Sequence, residues 1–195
     1  MLAPRWVSTF DAAVGDPVHA MRTPALTTFF YLCTLLANTG TVVFLTVAAV
    51  IVLAVRRKFA EALLVAVVVA GGQALGALAK LAVVRPRPPA SGALIPLPGS
   101  YAFPSGHALA AVLLYGVLAF LLVRRLSGRG ARVAVMLAAI VLIVLVGLSR
   151  VYLGVHWPSD VAAAWVLGGA WLAVCISAYL WWDRRRVRAA GQTAS

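Results

Sequence analysis

Five stretches of this chain are so long and so uniformly apolar that a lipid bilayer is the natural place for them. A helix of roughly 20 apolar residues crosses about 30 Å of hydrocarbon. Phe59–Leu81, Ala108–Val123, Val133–Leu148 and Val161–Trp182 reach that length or nearly so. A fifth run, Leu35–Val55, is long enough if Asn38–Thr41 sits at its outer end. Composition agrees, with 63% hydrophobic and 11% charged residues, where a soluble domain carries about a quarter charged. The expected fold is all-α: a polytopic membrane helix bundle of five transmembrane helices, forming one domain over residues 35–182.

The flanks read differently. Trp6, Phe10, Val14 and Val18 recur every fourth residue, a helical stripe that suits an amphipathic segment lying in the interface and interrupted near Pro17. Ala25–Ala37 would be only about 20 Å long as a helix, so residues 1–34 are assigned to the interface. A short sixth span over Ala25–Ala37 is the competing reading. No cleavable signal peptide is expected, because Met1–Pro24 lacks a continuous apolar core. Residues 183–195 form a basic cytoplasmic tail.

The net charge of +12 raises nucleic acid as a partner. The bases lie at the ends of apolar spans, however, which is a topology signal; no nucleic-acid partner is expected. Arg56, Arg57 and Lys58, then Arg124, Arg125, Arg129 and Arg132, then Arg184, Arg185, Arg186 and Arg188 fall in alternate loops and so share one side. The positive-inside rule makes that side cytoplasmic. Trp181 and Trp182 fit an aromatic belt there, and Glu61 is expected to pair with Arg57 or Lys58. Cys33 and Cys175 have no metal or disulfide spacing and read as small lipid- or core-facing residues.

The opposite side holds what a solvated span end does not need. Lys80, Arg85, Arg87, Arg150, His107, His156 and Asp160 all lie at or near span ends there, where ionisable groups are costly unless functional. Several cations facing one point make an anion site. Pro104-Ser105-Gly106-His107 opens a helix with Ser105 at its N-cap, and free N–H groups at a helix start bind phosphate. Two histidines offer a nucleophile and a proton donor. Asp160 follows His156 by four residues across Trp157-Pro158, where Pro158 can start the last helix, so it can orient the His156 ring. With one acid there beyond the N-terminal segment, carboxylates cannot build a two-metal centre; no metal and no cofactor are expected.

Lys80-Leu-Ala-Val-Val-Arg-Pro-Arg87-Pro88, Pro104-Ser105-Gly106-His107 and Ser149-Arg150-Val-Tyr-Leu-Gly-Val-His156-Trp-Pro-Ser-Asp160 occur in that order. Together they resemble the three motifs of the type 2 phosphatidic acid phosphatase superfamily, whose soluble relatives include vanadium haloperoxidases. The resemblance covers roughly Leu35 to Leu180. It implies an extracytoplasmic lipid phosphate phosphatase in which His156 attacks phosphorus, Asp160 orients His156, and His107 protonates the leaving oxygen and then activates water. Lys80, Arg87, Arg150, Ser105 and the Gly106 amide would hold the phosphoryl oxygens. Undecaprenyl pyrophosphate, phosphatidylglycerophosphate and phosphatidic acid are candidate substrates. A lipid phosphotransferase using the same phosphohistidine, and a non-enzymatic membrane protein, are the alternatives. Many membrane members begin with an extra spanning helix that is not evident here.

Five side readings complete the expectations. Arg85 is free to meet a head group, and His19 is a surface residue. Gln73 makes an interhelical hydrogen bond, while Gly71, Gly72 and Gly76 permit close packing. The Pro88–Phe103 loop, with Leu94, Ile95, Leu97, Tyr101 and Phe103, holds the first carbons of a lipid chain.

Overall fold

The computed structural model describes residues 4–192, with side chains to Arg186; Met1–Ala3 and residues 193–195 of the tail lie outside the described residues. Seven helices are present: α1 Arg5–Ala20, α2 Pro24–Leu35, α3 Thr39–Val55, α4 Phe59–Val83, α5 Gly106–Val123, α6 Arg129–Tyr152 and α7 Pro158–Gln192. Helices α4 to α7 are each long and apolar enough to cross a membrane. The 17 residues of α3 qualify only together with α2, from which they bend by 41°. The expected polytopic helix bundle is therefore observed, with α2 joined to the first span as a bent extension.

That bend would leave carbonyls stranded in hydrocarbon without partners. It has them. The Thr41 hydroxyl donates to Leu35 O at 2.8 Å, and the Tyr115 hydroxyl donates to Leu36 O at 2.7 Å. The Asn38 side chain accepts from the Thr41 N–H at 2.7 Å and caps α3.

Helix α5 is the axis of the bundle. Ala108–Leu114 are all buried, with α4, α6 and α7 packed around them. Helix α6 faces outward along Val133, Met136, Leu137, Ile140, Val141 and Val144, the surface a lipid-facing helix presents. In the middle of α4 a π turn, Val67–Gly71, widens the helix where it meets α7. Trp171 lies so close that a Cβ on Gly71 would sit 2.7 Å from its ring, and its indole N–H donates to Val68 O at 3.1 Å. Gly72 and Gly76 likewise admit Leu113 and Leu109, so the close-packing reading of the glycines holds.

At one end of the bundle the basic loops are tied by Arg125–Glu61 and by Arg124–Asp183, the latter at 2.9 Å. Glu61 thus pairs across to the α5–α6 loop and not with Arg57 or Lys58. Arg185 and Arg186 stack on Trp181 and Trp182.

At the other end, α1 runs unbroken through Pro17, against the expected interruption. Proline removes one helical hydrogen bond, but α1 is fixed to the bundle on both sides of it. Its buried face is Asp11 and Gly15, with His19 half-buried beyond, and it packs on α6 and α7. Trp6 and Phe10, from the apolar stripe, remain exposed. His19 is not a free surface residue, because its Nε2 donates to Val151 O at 2.9 Å. Arg22 donates twice to Tyr152 O, and the Thr23 N–H donates to the Tyr152 hydroxyl. The N-terminal helices therefore form a collar around Arg150–His156.

Candidate active site

Three segments converge inside that collar. The first leaves α4 through Val84, whose φ of 49° is left-handed, a strained choice for a β-branched residue. The turn sends Arg85 and Arg87 back over the bundle. Arg87 donates to Ser100 O at 2.8 Å, Val155 O at 2.8 Å and His156 Nε2 at 3.1 Å. Lys80, on the last turn of α4, donates to Tyr101 O at 2.9 Å and Pro104 O at 2.8 Å.

The second segment is the start of α5. Ser105 occupies the expected N-cap position, yet its hydroxyl does not cap the helix. It is buried and makes no hydrogen bond. A buried unpaired hydroxyl is costly, and this one retains its full capacity to bond a further group. Gly106 and His107 form the first turn beside it, where N–H groups have no helical partner.

The third segment joins α6 to α7. Gly154, at φ 71°, folds the chain back so that Val155 and His156 both donate backbone N–H groups to Arg150 O. Arg150 is 2% exposed; it donates to the Thr34 hydroxyl at 2.6 Å, and its Nε is buried without a partner. His156 lies beside it, buried, with Nδ1 3.4 Å from Asp160 Oδ2. That is longer than a formed hydrogen bond, as is common where catalytic contacts close only around substrate.

The imidazole's protonation state follows from these neighbours. Arginine can only donate, so His156 Nε2 accepts from Arg87 and the ring proton sits on Nδ1, toward Asp160. Burial lowers the His156 pKa to about 4; Asp160 pulls it up, and Arg87 and Arg150 push it down. The ring is neutral at pH 7, with its Nε2 lone pair on the side of the cations.

Asp160 is itself held. One oxygen accepts from the Trp157 N–H at 3.0 Å, the reach of a third helical residue back to its N-cap. The other accepts from Arg85 at 2.6 Å. Arg85 also donates to Asp11 at 2.6 Å and to the Ser159 hydroxyl at 2.7 Å. Its side chain is 12% exposed, so the expected free contact with a head group gives way to a buried ion pair.

Two openings reach the two histidines. A cavity of about 280 Å³, lined by Asp11, Asp16, His19 and Arg85 among others, touches His156 from beneath α1. A larger groove of about 680 Å³ lies between α3 and α4, lined by Val43, Val47, Ile51 and Ala70, and reaches Gly106 and His107. Gln73 lines this groove as well, and no hydrogen bond from its side chain is present among the described residues; it is not the expected interhelical link. The Pro88–Phe103 loop does not act as a lipid-facing surface throughout. Ile95 and Leu97 pack on Tyr152, Leu153 and Val155, and the Leu94 N–H donates to Leu153 O at 2.9 Å.

All eight residues expected from the sequence, Lys80, Arg87, Ser105, Gly106, His107, Arg150, His156 and Asp160, thus gather at one end of the bundle. Asp11 and Thr34 join them without having been expected, and Arg85, expected beside them at a head group, joins as the partner of Asp11 and Asp160. One signal for Asp11 was legible: Asp11, Gly15 and His19 share a helical face, and a glycine there marks a close approach.

The class these features define is a helical membrane bundle with an unpaired hydroxyl, three cations and two histidines gathered at one end. The PAP2 superfamily profile matches residues 61–184, and the chain belongs to that superfamily. Phosphatidylglycerophosphatase B of Bacillus subtilis is 46% identical over 70 residues, covering 35% of this chain and 34% of that protein. Undecaprenyl-diphosphatase of Sulfolobus acidocaldarius is 42% identical over 80 residues, covering 41% and 34%. The matched segments span about a third of each curated relative. The crystal structure of a transmembrane PAP2 type phosphatidylglycerolphosphate phosphatase from Bacillus subtilis superposes with a TM-score of 0.82 at 30% identity, over 93% of this chain and 88% of that one. Aquifex aeolicus LpxE shares the fold, with a TM-score of 0.67 at 21% identity over 85% and 93%.

Proposed function

We propose that this protein is a metal-independent lipid phosphate phosphatase working through a phosphohistidine on the extracytoplasmic face. The observation that carries the proposal is the placement of His156 Nε2 and His107. The first faces the cations; the second stands where the apolar groove meets the site. Phosphoryl transfer runs in line, with the leaving oxygen opposite the nucleophile. A phosphoryl group held by Lys80, Arg87, Arg150, the Ser105 hydroxyl and the Gly106 amide would present phosphorus to His156. Its lipid alcohol would point past His107 into the groove. His107 would protonate that oxygen and later take a proton from the water that replaces it, freeing phosphate.

Charge is handled by side chains in this scheme. Among the described residues no three His, Cys, Asp or Glu side chains are placed to hold a metal ion. Phosphate release from phosphatidylglycerophosphate, undecaprenyl pyrophosphate and phosphatidic acid by the purified protein tests the reading. Release from at least one is expected to persist in EDTA and to be inhibited by vanadate. Loss of release in EDTA, restored by a divalent ion, would refute the mechanism. Transfer of the phosphoryl group to an added alcohol in place of free phosphate would establish the phosphotransferase instead.

The charge count supports the orientation. Eleven basic residues lie at the span ends and connections opposite the site, a side the positive-inside rule makes cytoplasmic. A cysteine placed at Ser91 is expected to label with an impermeant thiol reagent on intact cells, and one at Arg129 is expected to need permeabilisation. The reverse pattern would place the chemistry in the cytoplasm.

A further inference from the structure

We propose that Asp11 and Arg85 are positioning residues that fix the orienting acid behind His156, making helix α1 part of the catalytic apparatus. The inference rests on the assignment of His156 as nucleophile and deepens it. The contacts form one connected chain. Asp11 reaches down from α1, accepting from the Ser159 N–H at 2.8 Å, the Ser159 hydroxyl at 2.9 Å and Arg85 at 2.6 Å. Arg85 passes its other amino group to Asp160 at 2.6 Å, and Asp160 faces His156 Nδ1. Asp11 is 4% exposed and Asp160 0%, and the Arg85 side chain between them 12%.

Two physical consequences follow from that chain. The first is geometric. With Arg85 on one oxygen and the Trp157 N–H on the other, Asp160 cannot rotate, and the oxygen facing His156 is aimed at Nδ1. Asp11 adds a second clamp by capping the start of α7 from outside the helix, at the Ser159 N–H that has no helical partner. The second is electrostatic. Arg85 alone would neutralise Asp160 and leave nothing to stabilise the cationic ring formed when Nε2 takes the phosphoryl group. Asp11 restores the balance: Asp11, Arg85 and Asp160 together carry one net negative charge. That charge lies on the Nδ1 side of the ring, across from Arg87 at Nε2.

The expected signature is a loss in kcat at nearly constant KM, because none of these groups meets the substrate. The purified full chain is assayed with phosphatidic acid in mixed micelles as wild type, Asp11→Asn, Arg85→Gln, Arg85→Lys, the double variant and His156→Ala. Partners that orient a reacting group typically matter by about 10–100-fold. Arg85→Gln is expected to lower kcat within that range with KM changed less than about threefold. Arg85→Lys, which keeps a cation at Asp160, is expected to recover part of the loss. The isosteric Asp11→Asn change is expected to lower kcat less, and not additively with Arg85→Gln, since both act through Asp160. Asp11→Asn keeps the test open if Arg85→Gln does not fold. Full kcat in Arg85→Gln and Asp11→Asn, with His156→Ala inactive, would overturn the positioning role and leave the nucleophile standing. Activity in His156→Ala would remove the assignment on which both rest. A fall in kcat that tracks the folded fraction, with no recovery in Arg85→Lys, would also overturn the proposal.

Discussion

Replacing His156 by alanine is expected to abolish turnover and the phosphoenzyme together, a loss on the order of 10⁴-fold or more, in line with removal of a nucleophile from a catalytic triad. Nε2 faces Arg87 and the ring proton is on the Asp160 side, so the alanine variant removes the one imidazole nitrogen assigned to the attack. His107→Ala should behave differently. Acid–base assistance is worth about 10²–10⁴-fold, and the loss should shrink for substrates with good leaving groups. The acid side of the rate profile carries a further check. The His156 pKa lies at about 4, below the ordinary imidazole value. The neutral nucleophile is therefore retained as pH falls through 6.5 and lost only as it passes about 4. By the same linkage the unfolded chain binds this proton first, so stability declines as pH is lowered from about 6.5 toward 4. Rapid quenching with detection of acid-labile, base-stable phosphohistidine, in wild type and both variants, measures the first effect. A His156→Ala protein that still accumulates phosphohistidine would show that another residue is the nucleophile.

Filling the groove between α3 and α4 should produce the second large effect. The groove wall from Ala37 to Ile51 runs about 20 Å along the chain's first span, enough for many methylenes. Each buried methylene is worth roughly 0.8 kcal/mol, so excluding three or four should cost about 10²-fold in kcat/KM. Ala70→Phe and Val47→Trp add apolar volume to the groove on surfaces that are open in the structure. Long-chain phosphates should lose that factor while a soluble short-chain phosphate is unaffected. The polar triple change Leu94→Ser, Ile95→Ser, Leu97→Ser should act otherwise, lowering turnover of both classes together, because Ile95 and Leu97 support Tyr152–Val155. A chain-length series at fixed detergent separates the two sets. Equal losses for both chain lengths in the groove variants would remove the groove from lipid binding.

The spans and the eight motif residues could be read from the sequence because each carries a local signal. Apolar length marks the helices, and charge at a span end marks the site. Pro158 and Asp160 announce the start of α7 through N-terminal helix chemistry alone. The reading failed where a contact depends on distant chain. Asp11 meets Arg85 and Ser159 across more than seventy residues, and nothing in the local pattern of either segment encodes that. Of the apolar stripe of α1, Trp6 and Phe10 stay exposed while Val18 packs on the core, and the buried part of the docking face is polar and small, Asp11 and Gly15. The partner of Arg85 lies on distant α1, and the support the Pro88–Phe103 loop gives Tyr152–Val155 is likewise a contact between distant segments. Pro17 carries a local signal for a helix break, and the collar contacts that hold both halves of α1 outweigh it.

Lys80, Arg87 and Arg150 are bonded to carbonyls, a hydroxyl and an imidazole, and among the described residues no carboxylate pairs with any of them. Folding must therefore assemble three like charges at the end of a low-dielectric bundle, where their repulsion is screened less than at an open surface. A dianion held by these three would bind the native state and not the unfolded chain, and would raise stability by about 2.7 kcal/mol at a hundred times its dissociation constant. If phosphate, or a tetrahedral oxyanion of similar size, is the anion these cations hold, the melting temperature of the purified protein is expected to rise with its concentration in the buffer.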